Sequence, residues 1–176
     1  SVSKKSFEEI MNKEVFSSIE MTSTFFDKIN DFKTEKVIPY LAIETTLLKA
    51  PQVNLSYKYA GGGYVSTPSD LVKFGNALLG NKFLSSSSKD ILWTPVLFDN
   101  GEMNPENYGL GFRVDQDKLG RYIHHGGKSV GGYAYFVIYP KLEIVVAFVT
   151  NVTPMGFVFD RQKEAQKLAV IFSREI

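Results

Sequence analysis

Both histidines of this chain stand side by side in "RYIHHGGKSVGGYAYFVIYP", residues 121–140, with four glycines around them and an aromatic run behind. An adjacent imidazole pair before a glycine pair can serve as a metal site, as a polar wall facing a ligand, or as a bend in a sheet. The strand-like pattern on either side decides the first of these. Successive side chains of a strand point to opposite faces, so His124 and His125 cannot both grip one ion. The chain has no cysteine to complete a tetrahedral set, and its carboxylates show no ligand spacing. No metal and no cofactor is expected. Two readings then remain open. In one, a histidine is solvated, the other caps a sheet edge, and the glycines make a bulge. In the other, the glycines mark where a backbone comes close to a ligand.

The elements that must position this stretch can be read from the periods around it. Ser6 followed by Glu9 is a capping-box pattern, opening a helix over residues 7–16 with Phe7, Ile10, Met11 and Val15 on one side. Residues 30–59 show no clean period and read as irregular, with one short strand. The run "STPSDLVKFGNALLG" is a strongly signalled helix. Thr67 caps it, Pro68 suits its first turn, Asp70 complements its dipole and Gly80 ends it, with Leu71, Phe74 and Leu78 as the apolar face. After that the period changes. "LGFRV", "RYIHH", "GYAYFVIY" and "EIVVAFVTN" read as four strands, with "DQDKLG" and "PKLE" as turns, so consecutive strands should pair antiparallel. The last strand is apolar almost throughout, which predicts cover on both faces. A closing helix with Ala165, Leu168, Ala169 and Phe172 on one stripe supplies one cover. The expected class is α+β, an antiparallel β-meander covered by helices.

Composition limits what such a domain can do. With 176 residues, 44% hydrophobic and 22% charged, the chain is ordinary for one soluble domain, and residues 1–176 are read as a single domain. The net charge of +1, from 20 basic and 19 acidic residues, gives no electrostatic case for nucleic acid or a lipid surface. No apolar run approaches the ~20 residues of a membrane span. The first residues lack the apolar core of a signal peptide, which leaves localisation open. Tyr57, Tyr59, Tyr64 and Tyr108 read as packing and cleft-lining residues, Trp93 as core, and Lys128 as a solvated lysine or an anion contact. The patterns at Asn54 and Asn151 fit a glycosylation acceptor, a short motif that arises often by chance.

Four stretches, taken in order, resemble the C-terminal half of the serine β-lactamase-like family, which takes in class C β-lactamases, penicillin-binding DD-peptidases, related esterases and a mitochondrial branch. "KKSFEEIMNKEVFSSIEMTST" is similar to that family's helix and the P-L-G-M-x-x-T segment after it, with Met21 and Thr24 in the matching places. "SYKYAGGGYVSTPSDLVKFGNALL" resembles its glycine-rich turn and following helix, nearest the mitochondrial branch. "YGLGFRV" resembles a strand of its sheet, and "HHGGKSVGGYAYFVIYP" its H-x-G strand and hairpin. The resemblance implies a β-lactamase/DD-peptidase-like fold, acyl-serine chemistry on β-lactam, peptide or ester carbonyls, and a periplasmic or secreted setting.

It also implies roles. The H-x-G side chain helps set the protonation of the catalytic network, and the amide after its glycine is one oxyanion-hole donor. Such fixed donors are worth about 3 to 4 kcal/mol each. Two registers fit. Counting back from Gly131 and Pro140 gives His125-Gly126-Gly127 with the Lys128 amide as donor, the preferred reading; it puts Gly126 where the family often has Thr or Ser. Aligning on the histidine pair gives His124-His125-Gly126 with the Gly127 amide.

The family's S-x-x-K nucleophile and Y-x-N tyrosine belong upstream of these segments. Here S-x-x-K occurs at Ser1 and Lys4, on a chain end, and at Ser86 and Lys89, in a serine-rich connection; neither fits the family order, and Y-x-N is absent. The expectation is a wall of an active site without its nucleophile, inactive alone. Three readings follow: the C-terminal portion of a serine hydrolase, whose partners are the upstream half and a small acyl or peptide substrate; a non-catalytic binding module; or a self-associating domain in which a second copy completes an exposed sheet edge.

Overall fold

The computed structural model describes residues 3–29, 36–156 and 160–174. In chain order its elements are α1 (Phe7–Ile10), a π-helical stretch (Met11–Ser17), β1 (Phe25–Phe26), β2 (Tyr40–Ile43), β3 (Thr46–Lys49), a 3₁₀ stretch (Ser56–Gly61), β4 (Tyr64–Val65), α2 (Pro68–Leu79), α3 (Ser86–Leu92), β5 (Arg113–Asp117), β6 (Gly120–Ser129), β7 (Gly132–Tyr139), β8 (Ile144–Thr150), β9 (Val152–Met155) and α4 (Arg161–Phe172). Strands β5, β6, β7 and β8 lie in that order in one sheet, the expected meander. Antiparallel sheets with helices bear out the α+β class. Contacts divide the chain into two compact units. One comprises Ser1–Lys73, Gly127–Tyr133 and Val149–Phe159; the other comprises Phe74–Gly126, Ala134–Phe148 and Asp160–Ile176.

In the first unit the capping box forms as expected: the Glu9 amide donates to Ser6 Oγ, and the Ser6 amide donates to Glu9 Oε2 at 2.7 Å. The helix it opens differs from the expected one. From Met11 its bonds widen to the π pattern, which turns the face by a residue. Phe16 is consequently the buried side chain, and Phe7 is exposed. Phe16 packs with Phe26 and Tyr64, and Phe26 in turn with Tyr59 and Tyr64, in edge and tilted contacts, so Tyr59 and Tyr64 are the packing residues expected while Tyr57 is exposed. The irregular region is also corrected, because β2 and β3 form a hairpin, with β2 parallel to β9 on its other side. The hairpin turn puts Glu44 at φ 50°, a left-handed position with no glycine to signal it.

Asp70 does more than complement a helix dipole. Only 2% exposed, it accepts from the Ser23 amide, from the Thr24 hydroxyl and from Lys73 Nζ, at 2.8, 2.8 and 3.1 Å. With its own proton committed to Asp70, Thr24 accepts from Ser66 at 2.8 Å. The Asp70 amide in turn donates to Thr67, the expected cap. One carboxylate therefore fixes the start of α2 to the Met21–Thr24 segment, where Met21 is buried.

In the second unit a tyrosine-rich core forms between the sheet and α4: Tyr122, Tyr135, Val137, Tyr139, Ile144 and Val146 pack against Ala165 and Ala169. Only these two small residues of the expected helix stripe are buried. Leu168 and Phe172 are exposed. Strand β8 is covered on both faces over its first half, Ile144 and Val146 lying in the core with α4 while half-buried Val145 packs against Gly75 of α2, and it reaches solvent from Val149. Strand β5 is displaced from residues 110–114 to Arg113–Asp117, and β6 runs on to Ser129.

Ser86 and Lys89 also find their place here. The serine-rich connection is the start of α3, capped by Ser85. Lys89 is buried, and its Nζ donates to the carbonyls of Leu79 and Gly80 and to Asn81 Oδ1, at 3.3, 3.0 and 2.9 Å. A lysine spent on the carbonyl end of α2 is no base for Ser86. Ser1 lies outside the described residues. Replacing Lys89 with Met should cost about 1–3 kcal/mol, because the part-buried end of α2 loses the donor for its carbonyls; urea denaturation with an unchanged midpoint would contradict this.

Candidate functional site

Strand β6 carries the histidine pair, and its register on β5 sets their surroundings: Arg113 pairs with His124 and Asp115 with Tyr122. Diagonal neighbours across a ladder reach each other when side chains are long. Asp115 therefore meets His124, with Oδ2 at 2.9 Å from Nε2. On the other side the Tyr135 hydroxyl lies 2.7 Å from Nδ1. Burial pushes the His124 imidazole below its ordinary value, and Asp115 offsets that only in part, so the ring is neutral near neutral pH. Burial pushes the Asp115 carboxyl up, but bonds from Asn107 and His124 outweigh it and hold it below its ordinary value. A carboxylate only accepts, so Nε2 carries the proton of His124 and Nδ1 accepts from Tyr135. Neither nitrogen has capacity left. His124, expected as one of two candidate site histidines, is 2% exposed and acts as a strut; solvated it is not.

His125 points the other way, as strand alternation requires. Its Nε2 lies 2.5 Å from the Tyr108 hydroxyl, and the two rings meet edge to face at 5.6 Å. The imidazole is half-buried. Burial pushes it below its ordinary value, helped by the nearby Arg113 charge, with the Gly126 backbone acting in the opposite sense. Tyr108, weighed from sequence as a cleft-lining residue, is thus the direct partner of His125. Chain distance hid the pair, because seventeen residues separate the two. The Y-G-L-G stretch was the signal available.

The expected bulge is absent, since β6 stays a strand through both glycines. The two glycines differ. A Cβ at Gly126 would stand 2.9 Å from the Tyr135 ring, so that position has no room for a Thr or Ser side chain. At Gly127 a Cβ would meet nothing within 4 Å. Gly127 and Lys128 belong to the first unit, where Lys128 is exposed with its Nζ 5.5 Å from the centre of the Tyr133 ring. Among the described residues no group of three His, Asp or Glu side chains could hold a metal ion.

The neutral His124 has a stability consequence. Its folded pKa lies below the ordinary 6.5, so above that pH neither state binds the proton and nothing is contributed. As pH falls below 6.5 the unfolded chain takes up a proton that the folded chain refuses, and stability falls. Thermal unfolding should therefore shift down between pH 7 and pH 5 in the native chain, and less so in His124→Gln. Equal slopes in the two proteins would refute the assignment.

The beta-lactamase family model matches residues 1–171. The serine beta-lactamase-like protein LACTB, mitochondrial, of Bos taurus is 31% identical over 138 residues, covering 64% of this chain and 24% of that protein. Penicillin-binding protein 4* of Bacillus subtilis (strain 168) is 31% identical over 93 residues, 52% of this chain and 20% of that protein. The chain thus spans about a quarter or less of the length of these curated relatives. Among solved structures, the D-amino acid amidase from Ochrobactrum anthropi SV3 superposes with a TM-score of 0.76 at 19% identity, over 99% of this chain and 53% of that one. The octameric penicillin-binding protein homologue from Pyrococcus abyssi gives a TM-score of 0.74 at 22% identity, over 97% and 39%. At these identities the structural likeness is one of fold.

Proposed function

This chain belongs to the beta-lactamase family, and from that premise we propose that it forms the His-x-Gly wall of a serine acyl-transfer site whose nucleophile is carried upstream. The observation that carries the proposal is the inequality of the two histidines. His124 has both ring nitrogens committed inside the sheet, whereas His125 is half-buried on the other face with one nitrogen engaged by Tyr108. That inequality supports the register His125-Gly126-Gly127 and the Lys128 amide as the oxyanion donor. The upstream half would bring the Ser-x-x-Lys nucleophile and its Tyr-x-Asn partner, and the reaction would be attack of the serine on a β-lactam, amide or ester carbonyl, giving a serine ester that water then cleaves. His125 would orient and set the protonation of that network, while fixed backbone amides hold the developing oxyanion.

The test is covalent labelling with a fluorescent penicillin and a fluorophosphonate. The 176-residue chain should take no label; the longer chain with the upstream segment should be labelled. Label on the short chain would overturn the reading.

A second reading, self-association, is favoured by one feature. Strand β3 is an edge of its sheet, and all four of its residues are exposed, Leu47 at 60% and Leu48 at 47%. The Pyrococcus abyssi homologue is octameric. Native mass spectrometry separates the two: a concentration-independent monomer argues against association, and a defined oligomer supports it.

A further inference from the structure

We propose that Tyr108 is a positioning residue for His125, its phenol donating to Nε2 and so holding the imidazole as the neutral tautomer with the proton on Nδ1. The geometry is built from both sides. Tyr108 sits in a strap fixed by its backbone: its carbonyl accepts from the Val96 amide at 2.9 Å, and the neighbouring Gly109 amide donates to the Phe112 carbonyl at 2.8 Å. Gly109 packs so tightly against the Leu92 carbonyl that no Cβ fits there, which leaves the strap little freedom. Above the phenol ring lies the Arg113 guanidinium, 5.5 Å from its centre and paired with Glu106 at 2.7 Å. The tyrosine is thus oriented before His125 meets it.

The direction of the bond follows from donor and acceptor strength. A phenol O–H is a more acidic donor than a neutral imidazole N–H, and an imidazole nitrogen is more basic than a phenol oxygen. The phenol therefore donates to the Nε2 lone pair, and the ring's proton stays on Nδ1. The charged group near the ring is Arg113, partly neutralised by Glu106, and it works against a second proton; the neighbouring His124 is neutral. Side by side on β6, the two histidines hold opposite tautomers: Nε2–H at His124, fixed by Asp115, and Nδ1–H at His125, fixed by Tyr108. The catalytic sense of this arrangement rests on the acyl-transfer reading above. Within it, His125 is an oriented neutral group and supplies no cation.

Nitrogen-15 NMR of the histidine-labelled chain near neutral pH reads the tautomers directly. The expected spectrum has two neutral rings, one protonated on Nε2 and one on Nδ1, with the second set missing from His125→Gln. In Tyr108→Phe the Nδ1–H signature is lost toward a mixture, while the His124 signals stay, reporting that the sheet is intact. Two Nε2–H rings, a doubly protonated His125, or an unchanged His125 in Tyr108→Phe would each overturn the proposal. The wild-type spectrum alone decides if the variant does not fold. In the longer, labelling-competent protein Tyr108→Phe should slow acylation about tenfold, the weight of one hydrogen bond. The predicted spectrum with a wild-type acylation rate would keep the tautomer assignment and overturn the acyl-transfer role instead.

Discussion

Replacing His125 with Gln in the protein that carries both halves of the site should lower the second-order rate of penicillin acylation by about 10²-fold or more, while the fold survives. The size follows from the two things the side chain would do. Positioned proton-handling groups contribute about 10²–10⁴-fold, and a ring held by Tyr108 is positioned before substrate arrives. The fold should survive because His125 is half-buried and its ring is hydrogen-bonded to the Tyr108 hydroxyl, outside the buried core. His124→Gln is the informative companion. It should lose stability, because Asp115 and Tyr135 are left without their partner, and lose acylation only to the extent that the sheet loosens. Stopped-flow acylation rates with circular dichroism on both variants would check this. A His125→Gln protein that acylates at the wild-type rate would remove the residue from the site.

The largest stability effect should come from Asp70. Its loss in Asp70→Ala leaves the Ser23 amide and the Thr24 hydroxyl without their part-buried acceptor and takes the carboxylate from Lys73. Hydrogen bonds to a charged group are worth about 1.5–3 kcal/mol each. The Lys73 contribution is discounted because that side chain is 41% exposed. Two part-buried bonds remain, which sets the expected cost at about 3–6 kcal/mol by urea denaturation. Burial pushes the Asp70 carboxyl up, yet the bonds from Thr24, Ser23 and Lys73 win and hold it below its ordinary value of 3.8. Its stabilisation is therefore present above pH 3.8 and is lost as pH falls through the folded value. Asp70→Asn keeps the shape and should flatten that acid limb. A cost below 1 kcal/mol for Asp70→Ala would show the bonds to be ornamental.

What could be read from the sequence was whatever local chemistry dictates. Thr67, Pro68 and Gly80 punctuate α2 where it lies, and Ser6 with Glu9 opens α1, because caps and turns are settled within a few residues. The hairpin at Glu44 stayed hidden because its left-handed residue is neither glycine nor asparagine. "DQD" looked like a turn and is a strand, because Asp115 and Asp117 are turn-forming by propensity but are claimed by distant partners, His124 and the Tyr139 hydroxyl. The same cause governs the site. That His124 and His125 face apart follows from strand alternation alone. Which of them is the strut depends on the β5–β6 register and on Tyr108, and neither can be read until the sheet is assembled.

The claim at the centre of this account is that the acylated serine is not on this chain. The most direct measurement is peptide mapping of the penicillin-labelled longer protein by mass spectrometry. The account predicts a single acylated serine, in an upstream Ser-x-x-Lys, with residues 1–176 unmodified. An acyl group on Ser86, or on any other serine within residues 1–176, would contradict it.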